Sequence, residues 1–143
     1  MKTAEEVLHR TIVSLLSDGA YNVYSDLAPA GASMPFLVFN IVGGGEQNVR
    51  GDRQDARFII AVRCIALKAQ DALTGSAFIS QCLNDVGSQD RRPIAVTDAD
   101  WIITTMTQND AVSMMNLYEG ATWEYTRGAQ FEVVMEAKRN GYI

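Results

Sequence analysis

Apolar residues recur at helical spacing in two stretches of the chain. The first begins at a Thr3-x-x-Glu6 pattern, which is typical of a capping box, and stops at a Ser-Asp-Gly turn. The second ends before Gly87, a residue type that commonly terminates helices. These patterns predict two amphipathic helices, over about residues 3–17 and 69–86.

Runs of β-branched and aromatic residues without helical spacing predict strands. The segment MPFLVFNIVGGG, residues 34–45, indicates a buried strand of about eight residues that begins at Phe36. The segment ARFIIAVRCIAL, residues 56–67, is apolar on both faces and predicts a longer strand that pairs antiparallel with the first. A short strand is expected between residue 20 and the loop before Pro35. Further strands are expected at 94–96 and 101–107, and a half-exposed or edge strand at 129–137.

Residues 108–127 show no clean period and are interpreted as irregular. They contain a cluster of aromatic and methionine side chains: Met114, Met115, Tyr118, Trp123 and Tyr125. One interpretation is a small satellite core under a loop. The other is a partner-binding surface, because Tyr, Trp and Met are enriched at interface cores.

The three glycines at 43–45 do not form a nucleotide-binding loop. A P-loop needs a GK[ST] ending and a dinucleotide fingerprint needs a third glycine at the start of a helix, and Asn48 and a charged loop stand there instead. The glycines are expected to let the strand run out into a mobile arm over about 44–55. Connections of that length tend to be functional or disordered.

This order of elements predicts an α+β fold in one domain spanning residues 1–143. We expect a mainly antiparallel β-sheet, two α-helices packed on one face, and a long hairpin arm.

Charge and composition exclude several functions. The chain has 143 residues with 12 basic and 17 acidic side chains, a net charge of −5. An acidic chain is a poor nucleic-acid binder, since phosphate neutralisation needs a basic face. No apolar run approaches the ~20 residues that span a bilayer. Glutamates occupy the place of a signal peptide's apolar core, which indicates a protein made and used, or assembled, inside a cell.

Catalytic and metal-binding patterns are scarce. Cys64 and Cys82 belong to no CxxC pair and are expected to be buried thiols, and the single histidine, His9, is expected on a helix surface. We therefore expect no metal and no cofactor. Asp98 and Asp100 flank a turn, where aspartate is common. Glu132 and Glu136 are expected on the solvent side of their strand rather than as an acid–base pair. No enzyme is therefore predicted. A deep pocket lined by Asp98, Asp100 and His9 would reverse that expectation.

The chain nevertheless resembles one protein family over most of its length. The segment NVYSDLAPAGASMPFLVFNIVGG, residues 22–44, is similar to the signature of phage tail terminators, the small tail-completion proteins of long-tailed phages. The elements that carry the resemblance are a Tyr-containing strand, an Ala-Pro-x-Gly-Ala loop, a Pro-aromatic strand, an Arg-containing strand, and a closing Phe-x-Val strand. They correspond to Tyr24, residues 28–32, residues 35–39, Arg57 with FIIAVRCIAL, and Phe131 with Val133.

The resemblance implies a structural virion protein. Such proteins form a ring, typically of six copies, at the head-proximal end of the tail tube, where they stop tube polymerisation and join the tail to the head connector. The implied partners are further copies of the chain, the tail tube protein and the head–tail connector, and DNA would pass through an acidic lumen without specific binding. The arm would contact a neighbour through Gly45, Glu46, Arg50, Asp52, Arg53 and Arg57. Another connector or stopper protein, or a small ligand-binding or enzymatic domain, remains the alternative.

Overall fold

A computed structural model of the chain describes residues 3–17, 19–48, 54–84, 101–118 and 122–137. The elements in chain order are α1 (Ala4–Leu16), β1 (Val23–Ser25), β2 (Phe36–Asn48), β3 (Gln54–Ala66), α2 (Ala69–Leu83), β4 (Trp101–Tyr118) and β5 (Thr122–Ala137). The five strands form one sheet in the order β1-β2-β3-β5-β4. Only β1 and β2 pair in parallel; the other neighbours are antiparallel. The α+β fold with a mainly antiparallel sheet is confirmed.

Both helices pack against the same face of the sheet. Across that face, Phe39 of β2 stands opposite Val62 of β3, which stands opposite Ala129 of β5. All three are buried, and they belong to one hydrophobic cluster with residues of both helices, among them Leu8 and Ile79. Fully burying one such side chain contributes about 1.5–3 kcal/mol. We call this the helix face of the sheet and the opposite side the outer face.

Helix α1 begins where the capping pattern predicts. The Thr3 side chain accepts a hydrogen bond from the Glu6 amide at 3.2 Å. The amide of Ala4 donates to Oε1 of Glu46 at 2.9 Å. Carboxylates near this end also complement the positive end of the helix dipole. The rings of His9 and Phe39 pack in a T-shaped arrangement, with centroids 4.8 Å apart. This contact and the hydrogen bond to Glu46 hold α1 against β2.

Helix α2 lies close to β3 because it carries a glycine at the crossing point. A β-carbon on Gly75 would overlap the Cys64 side chain, which is fully buried. Burial, and then the charge of Asp71, raises the pKa of the Cys64 thiol to about 11. The expected burial of Cys64 is confirmed, and Cys82 is half-buried.

The Cys64 thiol is expected to resist alkylation in the folded protein. With its pKa raised from 9.0 to about 11, its thiolate fraction at pH 8 falls about 100-fold. Iodoacetamide at pH 8, followed by peptide mass mapping, is expected to label Cys82 well before Cys64, and to label both equally in urea. Equal labelling of the two cysteines in the native state would contradict this placement.

Strand β2 is longer than the sequence predicts. It does not stop near residue 43 but runs through all three glycines to Asn48, and it pairs with β3 as far as Gln54. The strand accommodates the glycines through a bulge between Ile41 and Gly43 and a positive φ of 108° at Gly44. The expected flexible arm is therefore wrong for residues 44–48 and 54–55, which are paired strand. Residues 49–53 lie outside the described residues.

The interpretation of residues 108–127 as irregular is also wrong. Those that the structure describes belong to a long hairpin, formed by the 18 residues of β4 and the 16 residues of β5. β5 is not an edge strand, because β3 pairs with it on one side and β4 on the other. Its half-exposed character is confirmed, with Glu132 exposed. The strand expected at 94–96 lies outside the described residues. Neither described helix has the length and apolar character of a membrane span.

Candidate interaction surfaces

The two predicted interface regions lie at opposite ends of the sheet. Asp55 pairs with Glu136 at one end, where the β2–β3 hairpin closes. Ala66 pairs with Tyr125 at the other end, toward the turn of the β4–β5 hairpin. A subunit built this way presents two separate ends, with the helices between them on one face. Of the predicted arm residues, Arg50, Asp52 and Arg53 lie outside the described residues.

The described arm residues make contacts within the chain. Glu46 accepts the hydrogen bond from α1 described above. Arg57 belongs to β3 rather than to the arm, and its Nη1 lies 3.7 Å from Oε1 of Glu132. Their side chains are 61% and 49% exposed, so the pair contributes little, about 0–1 kcal/mol. Gly45 is open, since a β-carbon built on it would meet nothing within 4 Å.

The β4–β5 hairpin places the aromatic and methionine residues on both faces of the sheet. Met115 stands opposite Tyr125, and Trp123 lies two residues before Tyr125 in β5, so these three residues share the helix-face side. Met114 lies opposite Thr126 on the outer face. The exposed fractions of Met114, Met115 and Trp123 are 45%, 54% and 45%, which is not the burial of a satellite core. Tyr118 pairs with Thr122 at the last register position.

We call Met115, Trp123 and Tyr125, which share one face of the β4–β5 hairpin, the hairpin cluster. Large exposed apolar side chains that neighbour one another are typical of interaction sites, whereas single ones are ordinary. Tyr and Trp add contact area at low entropic cost, and methionine adapts to irregular partner surfaces. The cluster can therefore bind a protein surface without covalent or metal chemistry.

An open groove of about 680 Å³ lies between α1 and the β1–β2 edge of the sheet. Its walls include the first helical carboxylates, Glu5 and Glu6, and the apolar side chains of Phe39 and Ile41. In it, Nε2 of His9 lies 2.7 Å from Oγ of Ser25. In the part of the chain that the structure describes, His9 makes no second hydrogen bond that would orient the ring for catalysis.

The remaining predicted chemistry is not assembled within the described ranges. Asp98 and Asp100 lie outside them, so a pocket that combines them with His9 is not described. Among residues 3–17, 19–48, 54–84, 101–118 and 122–137, no three His, Cys, Asp or Glu side chains come together as potential metal ligands.

The sequence reasoning missed the two free strand edges of the sheet. β1 covers only Leu37 to Phe39 of β2, which leaves β2 without a described strand neighbour on that side from Asn40 onward. β4 forms the opposite edge of the sheet. A signal was present in the β4 segment AVSMMNL, residues 111–117, which carries no charge and no proline.

Comparison with known proteins gives only weak structural likeness. No family model matches the chain, and no curated protein matches it. A chain from the virion of a native gene transfer agent particle is similar to it with a TM-score of 0.48 and 14% identity, over 94% of this chain and 95% of that one. A likeness at this level establishes no shared function.

Proposed function

We propose that this chain is a structural virion protein of a long-tailed phage. It acts as a tail terminator, a ring of copies, typically six, that caps the head-proximal end of the tail tube. The ring ends tube polymerisation and presents a surface to the head–tail connector. It is assembled in the host cytoplasm, does no catalysis, and lets DNA pass without specific binding.

The observation that carries the proposal is the exposed hairpin cluster at one end of a rigid sheet. A terminator must bind the tube on one side and the head connector on the other, and this subunit has two separate ends, each closed by a hairpin. The resemblance over residues 22–44 adds support, because β1, the loop after it and β2 follow one another there as in the family. The net charge of −5 suits a DNA conduit.

A second candidate is a connector or stopper protein of the same virion. It would share the ring, since head-to-tail contacts between subunits close under rotation. It would differ in which partner the hairpin cluster meets. A ligand-binding role would rest on the groove with His9 and Ser25, where the described residues include no group that orients the His9 ring.

Electron microscopy of particles assembled with and without this chain tests the proposal. We expect overlong, headless tails in its absence, because nothing then stops tube growth. Tails of normal length that fail to join heads would move the chain to the connector class. Intact, infectious particles would overturn the structural role. Complementation by the unaltered chain is the matched control.

A further inference from the structure

The two halves of the edge strand β4 are built differently. Register shifts at Thr104 and Asn109 interrupt the first half. There Oδ1 of Asn84, at the end of α2, accepts the outward-pointing Gln108 amide at 3.1 Å. Bulges and covering elements are the usual means of blunting a sheet edge against pairing with another chain. The first half of β4 is therefore protected.

The second half of β4 lacks these protections. From Ala111 to Leu117 the register with β5 is regular, and the segment contains no charge, proline or glycine. Because the Gln108 amide points away from β5, the register beyond the shift turns the amides of Ala111, Ser113 and Met115 outward as well. The Ala111 amide donates to Oδ1 of Asp110 at 2.9 Å, so Ser113 and Met115 carry the outward donors for a further strand. An uncharged edge without a bulge pairs readily with another strand.

The opposite edge of the sheet, formed by β2, also has a stretch without a described strand neighbour. Beyond Phe39, β2 has no described strand neighbour on its outward side, and the groove beside α1 borders this edge at Asn40 and Ile41. The segment IVGGG, residues 41–45, is also uncharged. β-Carbons on Gly43 and Gly45 would meet nothing within 4 Å, so a large side chain from another subunit has room there.

The directions and offset of the two edges suit a closed ring. Three antiparallel pairings separate β2 from β4, so the two run in opposite directions. Through the strand pairing, Ser113 of β4 lies at the level of Cys64 on β3, and Gly44 of β2 lies at the level of Phe58. These two levels are six residues apart along β3. Six residues span about 20 Å along a strand. Across the sheet, the β4 edge of one copy would lie four strand spacings, about 19 Å, from the β4 edge of the next copy. The resulting tilt of about 45° lies within the range of closed barrels.

Side chains on the outer face also fit across this contact. Met114 and Val112 project from the second half of β4, and Met114 is 45% exposed. Gly43 and Gly45 lie on the same face of β2, opposite Ile59 and Arg57. Antiparallel pairing would place the large residues of one copy over the bare glycines of the next.

We propose that copies of this chain join by antiparallel strand addition, the 112–116 edge of β4 in one copy pairing with the 41–45 edge of β2 in the next. The occupant of each free edge is thus a second copy, and repetition closes the sheets into a ring. This inference rests on the proposed ring function and names the contact that forms the ring.

Disulfide trapping tests the register. In a Cys82→Ser background, Gly43→Cys is combined with Met114→Cys in one chain and with Val112→Cys in another, which covers the two nearest registers. The full-length chains are concentrated, oxidised with copper phenanthroline and run on non-reducing denaturing gels. We expect at least one pair to give a ladder beyond the dimer, and Gly43→Cys alone to stop at the dimer. No ladder from either pair, or complete dimerisation of Met114→Cys alone, would overturn the inference.

A backbone substitution tests the hydrogen bonds themselves. Ser113→Pro removes an outward N–H and spares the pairing with β5. We expect it to abolish the ladder while far-UV circular dichroism and the thermal midpoint show a retained fold. Thr107→Lys, an equally exposed change on the protected half of β4, is the control and should leave the ladder intact. A ladder that survives in folded Ser113→Pro would contradict the proposal.

The two proposals fail in distinguishable ways. Overlong tails without the chain, combined with no ladder, would retain the terminator and reject strand addition. A ladder combined with intact, infectious particles in the absence of the chain would retain the subunit contact and reject the terminator.

Discussion

Replacing Gly128 with alanine is expected to lower the free energy of unfolding by about 3 kcal/mol. Gly128 lies in β5 opposite Arg63 of β3. A β-carbon there would overlap the carbonyl oxygen of Val62 and approach Cα of Arg63 to 2.7 Å. Both obstacles are backbone atoms of a strand that is paired on both sides, so neither can turn away as a side chain would. Urea unfolding followed by circular dichroism measures the change.

Gly45→Ala is the matched control for this substitution. Gly45 also lies in a paired strand, but its β-carbon would meet open space and its φ is not positive. We expect a change within about 1 kcal/mol, of either sign, because alanine also reduces the freedom of the unfolded chain. Equal losses at both positions would show that glycine matters here for reasons other than the close approach of β3.

The helices were predictable because their signals are local. The Thr3 cap, the 3.6-residue period and the terminating turn all act within a few residues, and the structure starts and ends α1 within one residue of the prediction. Helix α2 ends at Leu83, three residues before the predicted end, and Oδ1 of Asn84 just after it accepts a hydrogen bond from the Gln108 amide in β4. That contact spans 24 positions in sequence, so no local pattern contains it.

The extents of the strands were most predictable where one face is buried without interruption. In β3 the alternation is regular and the prediction fits within two residues. In β4 each bulge reverses which residues face the helices, so an alternating pattern cannot continue across Thr104 or Asn109. Beyond Asp110 the strand has little buried surface, and the pattern that burial imposes disappears. The segment therefore looked irregular although it is a strand.

Of the candidate surfaces, the sequence could predict the hairpin cluster but not the free strand edges. The hairpin cluster was recognisable from residue type alone, because Met, Tyr and Trp so close together are unusual outside a core or an interface. The free edges were not recognisable, since an edge is defined by which strands are absent beside it. Only the order β1-β2-β3-β5-β4 shows that the second half of β4 and the end of β2 lack neighbours among the described residues.

Truncation of the two tryptophans is expected to change stability by very different amounts. Trp101 is among the largest fully buried side chains, 1% exposed at the start of β4, and Trp101→Ala is expected to lower the free energy of unfolding by about 3–5 kcal/mol through the cavity it leaves.

Trp123, at 45% exposure in the hairpin cluster, has little packing to lose. Trp123→Ala is therefore expected to lower the free energy of unfolding by less than about 1 kcal/mol. The intrinsic fluorescence that remains in each variant reports the other tryptophan, so emission should be blue-shifted in Trp123→Ala and red-shifted in Trp101→Ala. If the hairpin cluster binds a virion partner, Trp123→Ala also yields a stable protein that cannot complete tails, a loss that instability cannot explain. A Trp123→Ala chain that unfolds as easily as Trp101→Ala would place Trp123 in the core and remove the cluster as a surface.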